Sequence, residues 1–184
     1  MRKVIVPFTE GVEEIEFVTV VDILRRAGIE VTMASLNGKS VTGRSKIIIQ
    51  ADAALKDVIE DDWDMVVLPG GLPNAHLLRD DPNVKSLVEN LRNQRKSIAA
   101  ICAAPTALAA YGITEGRSIT SYPAMKDEIL QLTPSSSYCD DAVVEDDFLI
   151  TSRGAGTAVE FALRLVTRLC DKEKSEEIRQ SIIA

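Results

Sequence analysis

Cys102 lies within Ser97–Tyr111, where a short apolar run gives way to an Ala- and Leu-rich stretch that Pro105 opens and Gly112 closes. The run fits a strand buried on both faces. Pro at a first helical position and Gly just past the last are helix start and stop signals. A cysteine at the corner between them stands out from a sheet edge beside helix N–H groups. That is the placement of a nucleophile elbow, with sulfur in place of a serine oxygen. Lowering such a thiol from roughly 8.5 to about 5 requires ~4.8 kcal/mol of preference for the thiolate. A helix N-terminus supplies about 0.3–1 kcal/mol, or ~2 when partly buried. The rest requires hydrogen bonds to the sulfur, each worth ~1.5–3 kcal/mol. Without a partner group, Cys102 reads as a small buried core residue.

Glu16 is the candidate partner. Glu13 and Glu14 fall in the first turn of a helix that Gly28 ends, and acidic residues there complement the helix dipole. Glu16, Val20, Ile23, Leu24 and Ala27 share one face of it, so a carboxylate heads an apolar stripe. A buried carboxylate costs several kcal/mol unless paired or protonated. Glu16 is therefore either an edge position or a functional one. Gly70-Gly71 directly follows the apolar run Met65–Leu68 and can bring backbone N–H groups close to a ligand. A tight turn is the plainer reading.

Alternating elements must position these residues. Strands are expected at Val4–Phe8, Glu30–Leu36, Ile47–Gln50, Met65–Leu68 and Ser118–Ser121, with a hairpin turn at Asn37-Gly38 leading to Val41. Leu55–Val58 reads as a short helical turn. Asp81-Pro82 opens a helix lined by Val84, Leu87, Val88 and Leu91. Thr133–Ser137 reads as a Ser-rich loop. Val143-Val144 and Phe148–Ser152 form a hairpin across Asp146-Asp147. A second glycine-bearing turn, Ser152–Thr157, leads into a helix capped by Thr157 and burying Val159, Ala162, Leu163, Val166, Leu169 and Cys170. A final helix runs from Lys174 to Ile183; Cys139 has no pattern around it. This alternation predicts an α/β fold, a mainly parallel sheet with helices on both faces, in one domain over residues 1–184. Ligand sites in such sheets lie at the C-terminal strand ends, where the Glu13–Glu16 helix start, Gly70-Gly71 and Cys102 all fall.

The 184 residues are 46% hydrophobic, enough for a sizeable core, and carry a net charge of -7. No Lys/Arg cluster resembles a nucleic-acid or membrane-binding face. Three cysteines without metal-ligand spacing argue for a reducing compartment, and no apolar stretch reaches signal-peptide or membrane-span length. A cytoplasmic protein is expected. The lone histidine, His76, is expected on a short surface helix and argues against a zinc site.

Five stretches resemble the ThiJ/PfpI superfamily, and within it the DJ-one-like branch. They are Val12-Glu13-Glu14-Ile15-Glu16, Val67-Leu68-Pro69-Gly70-Gly71, Ala99-Ala100-Ile101-Cys102-Ala103, Lys126-Asp127 and Thr151-Ser152-Arg153-Gly154. The resemblance implies a flavodoxin-like three-layer sandwich and a homodimer with the first helix near the interface. It also makes Cys102 the nucleophile, Glu16 the carboxyl hydrogen-bonded to it, and the N–H groups of Gly71 and Ala103 an oxyanion hole. A protonated Glu16 would donate to the sulfur and resolve its own burial. Two positions depart from relatives. Tyr122 stands where some carry His, and Tyr is a poor base near neutral pH because its pKa is about 10. Ala103 stands where the protease branch has His, which leaves a Cys–His peptidase or amidotransferase without its base.

The activity implied is cofactor-independent conversion of 2-oxoaldehydes such as methylglyoxal to 2-hydroxy acids, with related repair of glycated amines or thiols. Arg26 and Arg153 are candidate contacts for a carboxylate, and Tyr122 for the substrate. The alternative implied by the same oxidisable cysteine is a redox-sensing or chaperone-like stress protein.

Overall fold

The computed structural model describes residues 1–184. In chain order the strands are β1 (Lys3–Phe8), β2 (Glu30–Ser35), β3 (Ser40–Thr42), β4 (Ile48–Gln50), β5 (Ala53–Ala54), β6 (Met65–Leu68), β7 (Ser97–Ile101), β8 (Ser118–Ile119), β9 (Ser137–Tyr138), β10 (Val143–Asp146) and β11 (Leu149–Ser152). The helices are α1 (Glu14–Arg26), α2 (Leu55–Val58), α3 (Asn74–Asp80), α4 (Pro82–Asn93), α5 (Pro105–Ala110), α6 (Lys126–Leu132), α7 (Ala158–Leu169) and α8 (Lys172–Ser181). Seven strands form one sheet in the order β10-β11-β7-β6-β1-β2-β5. All its pairs are parallel except the β10–β11 hairpin.

The central strands are apolar without alternation because both faces of the sheet are covered. On β1, Val4, Val6 and Phe8 pack with residues of α1 and α7, while Ile5 joins residues of α4 and α5. On β7, Ala99 and Ile101 face the first layer, Ile98 and Ala100 the second. The three-layer, flavodoxin-like α/β arrangement expected from the sequence is the one found.

Five local expectations are corrected. Asn37-Gly38 makes a turn, but β2 already has β1 and β5 on its two edges, so β3 pairs instead with β4 in a separate two-stranded sheet. Cys170 is exposed, not core: it is the C-cap of α7, where φ −115° and ψ −97° turn the chain away. Val159 lies at the edge of the buried stripe formed by Ala158, Phe161, Ala162, Leu165, Val166 and Leu169. Thr157 occupies the N-cap of α7 without a capping bond; its hydroxyl instead donates to Gly154 O at 2.9 Å. The last helix also starts earlier than expected, because Asp171 accepts from Lys174 N and caps it. No helix is long and apolar enough to cross a membrane.

Candidate active site

The corner between β7 and α5 holds Cys102 at φ +65°, a left-handed conformation that costs a non-glycine residue about 1–3 kcal/mol. Its neighbours clamp it there. Cys102 N–H donates to Ser152 O of β11 at 3.0 Å, and its carbonyl accepts from Tyr122 N–H at 2.8 Å. The sulfur is thereby presented at the C-terminal edge of the sheet, where the elbow expected from Ser97–Tyr111 would put it. The N–H groups of Gly71 and Ala103 lie near the sulfur and favour its charged form.

Glu16 reaches the same point from α1. Glu13, the N-cap of that helix, accepts from Glu16 N–H at 2.9 Å and fixes its first turn. The Glu16 side chain is fully buried at the head of its apolar stripe. Its Oε2 accepts from Gly70 N–H at 2.9 Å. Its Oε1 is buried and has no hydrogen-bond partner. The Cys102 sulfur lies beside this carboxyl: a Cβ on Gly154 would fall 3.9 Å from both Cys102 Sγ and Glu16 Oε1, and each group shifts the other's protonation. So the two residues singled out from distant stretches of sequence do meet.

The glycine pair makes the meeting feasible. A Cβ on Gly70 would fall 2.6 Å from Cys102 Cβ and 2.6 Å from Glu16 Oε2. Gly71 has φ +89°, and a Cβ there would fall 2.3 Å from Gly11 O. Side chains at either position would push the turn off the sulfur and the carboxyl.

Protonation of the two groups is coupled. Burial pushes the Glu16 carboxyl up to about 7, and Glu13 adds to the rise, against the neighbouring Cys102 thiol, the bond from Gly70 and the charge of Arg44. Burial, followed by the charge of the Glu16 carboxylate, pushes the Cys102 thiol up to about 12, against the Gly71 and Ala103 N–H groups. The sequence predicts a thiol lowered toward 5; an ionised Glu16 does the opposite, because it sets a second negative charge beside the sulfur. The pair therefore loses its protons in two linked steps, with one proton shared after the first. When Glu16 holds that proton its O–H donates to the sulfur, its repulsion disappears, and three donors face the thiolate.

The other candidates divide. Tyr122, half exposed, and Arg153 border an open cavity of about 350 Å³ with Gly154 and Ala155. Arg153 Nη1 donates to Asp140 O at 2.6 Å, which holds the guanidinium at the rim. Arg26 is not brought to the site and is corrected here. It ends α1, roughly 15 Å along the helix from Glu16, where Nε is 2.7 Å from Asp22 Oδ2. His76 is half-buried on α3 and contributes nothing to the charge environment of Cys102 or Glu16. No three His, Cys, Asp or Glu side chains converge as metal ligands.

Two contributors have no place in the sequence-based site. Arg44, on the β3–β4 connection, acts on Glu16 by charge alone, and no pattern in its surroundings announces it. Asn74 is fully buried. Its Oδ1 accepts from Thr9 N–H at 2.8 Å, and its Nδ2 donates to Pro69 O at 2.8 Å and Gly70 O at 3.0 Å. It ties the end of β1 to the turn that carries the Gly70 and Gly71 N–H groups. A polar residue just ahead of apolar Ala75 and Leu78 was its only signal. Asn74→Ala is expected to cost about 1–3 kcal/mol in urea unfolding, because the Thr9 N–H and the Pro69 carbonyl lose their partner and Gly70 O keeps only Glu13 N–H. Cys102 alkylation should slow in the same variant as the turn loosens.

A doubly wound sheet with a cysteine on its elbow, answered by a buried carboxyl from the first helix, defines a flavodoxin-like cysteine-elbow protein. The chain belongs to the DJ-1/PfpI family, whose model matches residues 2–168. It is 45% identical to Protein dj-1beta of Drosophila melanogaster over 99% of this chain and 97% of that one. It is 37% identical to the Glutathione-independent glyoxalase DJR-1.2 of Caenorhabditis elegans over 92% of this chain and 89% of that one. The crystal structure of Drosophila melanogaster DJ-1beta superimposes with a TM-score of 0.95 at 43% identity, covering 100% of this chain and 98% of that one.

Proposed function

We propose that this chain is a cysteine-dependent, cofactor-independent enzyme of the glyoxalase/deglycase type, acting on 2-oxoaldehydes such as methylglyoxal. The observation that carries the reading is the buried Glu16 carboxyl against the Cys102 sulfur, with Oε1 free of any N–H or O–H partner. A group that must both give a proton and take one back requires an open oxygen beside the reacting atom.

Transfer of the shared proton to Glu16 leaves a thiolate, which adds to the aldehyde carbon. A C–S bond forms and the carbonyl electron pair moves to oxygen. The Gly71 and Ala103 N–H groups lie where that oxyanion develops. Glu16, having passed its proton to the oxyanion, removes hydrogen from the former aldehyde carbon as H⁺. The electron pair moves toward the neighbouring ketone, giving an enediol, and reprotonation at that second carbon gives an S-lactoyl thioester. Water then cleaves the thioester, releasing lactate and restoring the thiol. One substrate carbon is oxidised as the other is reduced, so no external electron carrier takes part. Deglycation would have the Cys102 thiolate displace the amine or thiol from the hemiaminal or hemithioacetal carbon, the old C–N or C–S bond breaking as the new C–S bond forms and the leaving group taking its proton from Glu16, after which the enediol route is the same.

In this reading Tyr122 and Arg153 contact the substrate; both border the cavity beside Gly154, and the arginine has only Nη1 committed to Asp140. In the same reading the chain is a single domain acting as a cytoplasmic homodimer. Its three free cysteines suit a reducing compartment, and exposed Ile15 and Val18 on α1 offer an apolar face to a second copy.

Purified protein given methylglyoxal is expected to form lactate, followed by enzymatic lactate assay. No lactate, together with peroxide adding two oxygens selectively at Cys102, would instead favour a redox sensor. Cys102, only partly buried and with the Gly71 and Ala103 N–H groups near its sulfur, suits that second reading.

A further inference from the structure

Gly154 lies in the turn after β11 and is buried. Two ordinary reasons for a glycine are missing there. Its backbone is extended, with φ 164° and ψ −167°, a conformation open to any residue. A Cβ built on it would meet no atom closer than 3.6 Å, which is normal contact distance. Its main-chain bonds, with N–H donating to Thr157 Oγ1 at 3.1 Å and O accepting from Thr157 N–H at 2.9 Å, need no glycine either.

The three atoms that a Cβ would meet give another reason. They are Tyr122 Cδ2 at 3.6 Å, Cys102 Sγ at 3.9 Å and Glu16 Oε1 at 3.9 Å. The absent side chain thus leaves a gap bounded by the sulfur, the free carboxyl oxygen and the Tyr122 ring. The cavity of about 350 Å³ along Tyr122, Pro123 and Arg153–Thr157 adjoins this gap. A carbonyl carbon about to react must come within about 3–3.5 Å of the sulfur. A methyl group on residue 154 would stand in the space between that cavity and the sulfur.

We propose that Gly154 is a specificity-determining residue: by lacking a side chain it keeps open the passage from the Tyr122–Arg153 cavity to the Cys102 sulfur. It thereby sets how bulky a group the substrate can carry beside its carbonyl. The class admitted is substituted 2-oxoaldehydes, and not only the unsubstituted dialdehyde. This rests on Cys102 as the nucleophile, but not on which product is released.

The test uses the full chain with Gly154→Ala and Gly154→Val. Both variants are expected to fold, with Gly154→Ala melting as the wild type does. For turnover, glyoxal, methylglyoxal and a branched-chain 2-oxoaldehyde are compared. In Gly154→Ala, kcat/KM for the branched aldehyde should fall about tenfold or more relative to glyoxal, the discrimination that one methyl group provides. The loss should appear mainly in KM. Independently of turnover, alkylation of Cys102 by iodoacetamide and by N-ethylmaleimide is followed on its peptide by mass spectrometry. The larger reagent should be slowed more, and Gly154→Val should extend the trend, with the pH midpoint of alkylation unchanged. Equal rates for reagents of all sizes, or a uniform loss with a displaced pH midpoint, would overturn the proposal. If wild type forms no hydroxy acid from any aldehyde, the glyoxalase reading fails while the alkylation series still decides the role of Gly154.

Discussion

Cys102→Ser is expected to remove lactate formation, a loss on the order of 10³-fold or more in kcat/KM, while the fold survives. Oxygen replaces sulfur with little change in volume, and the clamps on the corner, Ser152 O and Tyr122 N–H, are backbone groups that the substitution leaves alone. What changes is acidity. A hydroxyl is far harder to ionise than a thiol, and Glu16 at about 7 cannot take its proton to any useful extent. The check is lactate assay alongside thermal unfolding. Full activity in Cys102→Ser would remove the nucleophile from this site. An unfolded variant would point to the strained corner, and Cys102→Ala then separates the two.

Glu16→Gln should lower turnover by about 10²–10⁴-fold, the usual contribution of a positioned acid–base group. The amide can donate to the sulfur but cannot collect a proton from carbon. Two further measurements separate this from general damage. First, the amide removes the negative charge beside the sulfur, so the pH midpoint for alkylation of Cys102 should fall relative to wild type. Second, stability should change with pH in the opposite sense to activity. The folded carboxyl sits at about 7 against an ordinary 4.5, so folding favours its protonated form. That contribution is fully present below about 4.5 and is lost as pH rises through 7, a swing of about 3 kcal/mol. Above pH 7 the wild type carries a buried charge that Glu16→Gln lacks. The variant is therefore expected to be the more stable protein at pH 8, and to lose the advantage near pH 4. Parallel urea curves at both pH values check this; an identical pH slope in the two proteins would mean that Glu16 is not buried as a raised acid.

Much of this was open to reading in the chain. The central strands are legible because a strand covered on both faces has to be apolar throughout, and the Pro105 and Gly112 punctuation marks the helix after the cysteine. Glu16 could be suspected because a carboxylate in an apolar stripe demands an explanation. The failures are tertiary. Asn37-Gly38 has the chemistry of a hairpin, but whether β2 has a free edge is decided by β5, which comes later in the chain. Cys170 continues the spacing of α7, but the helix stops one residue short of it. Arg26 is on the right helix at the wrong end. Asn74 and Gly154 escaped because what they do is defined by neighbours: one spans two strand ends, the other is valuable for atoms it does not have.

The reacting pair is assembled from the first helix and the strand-to-helix corner far downstream, and the turn between them comes from a third strand. Neither half of the pair is unusual in isolation. During synthesis the thiol has the acidity of any cysteine in water, since its buried carboxyl arrives only with the finished sheet. The linked titration of thiol and carboxyl therefore begins with completion of the fold, and a truncated or half-folded chain holds the two groups uncoupled.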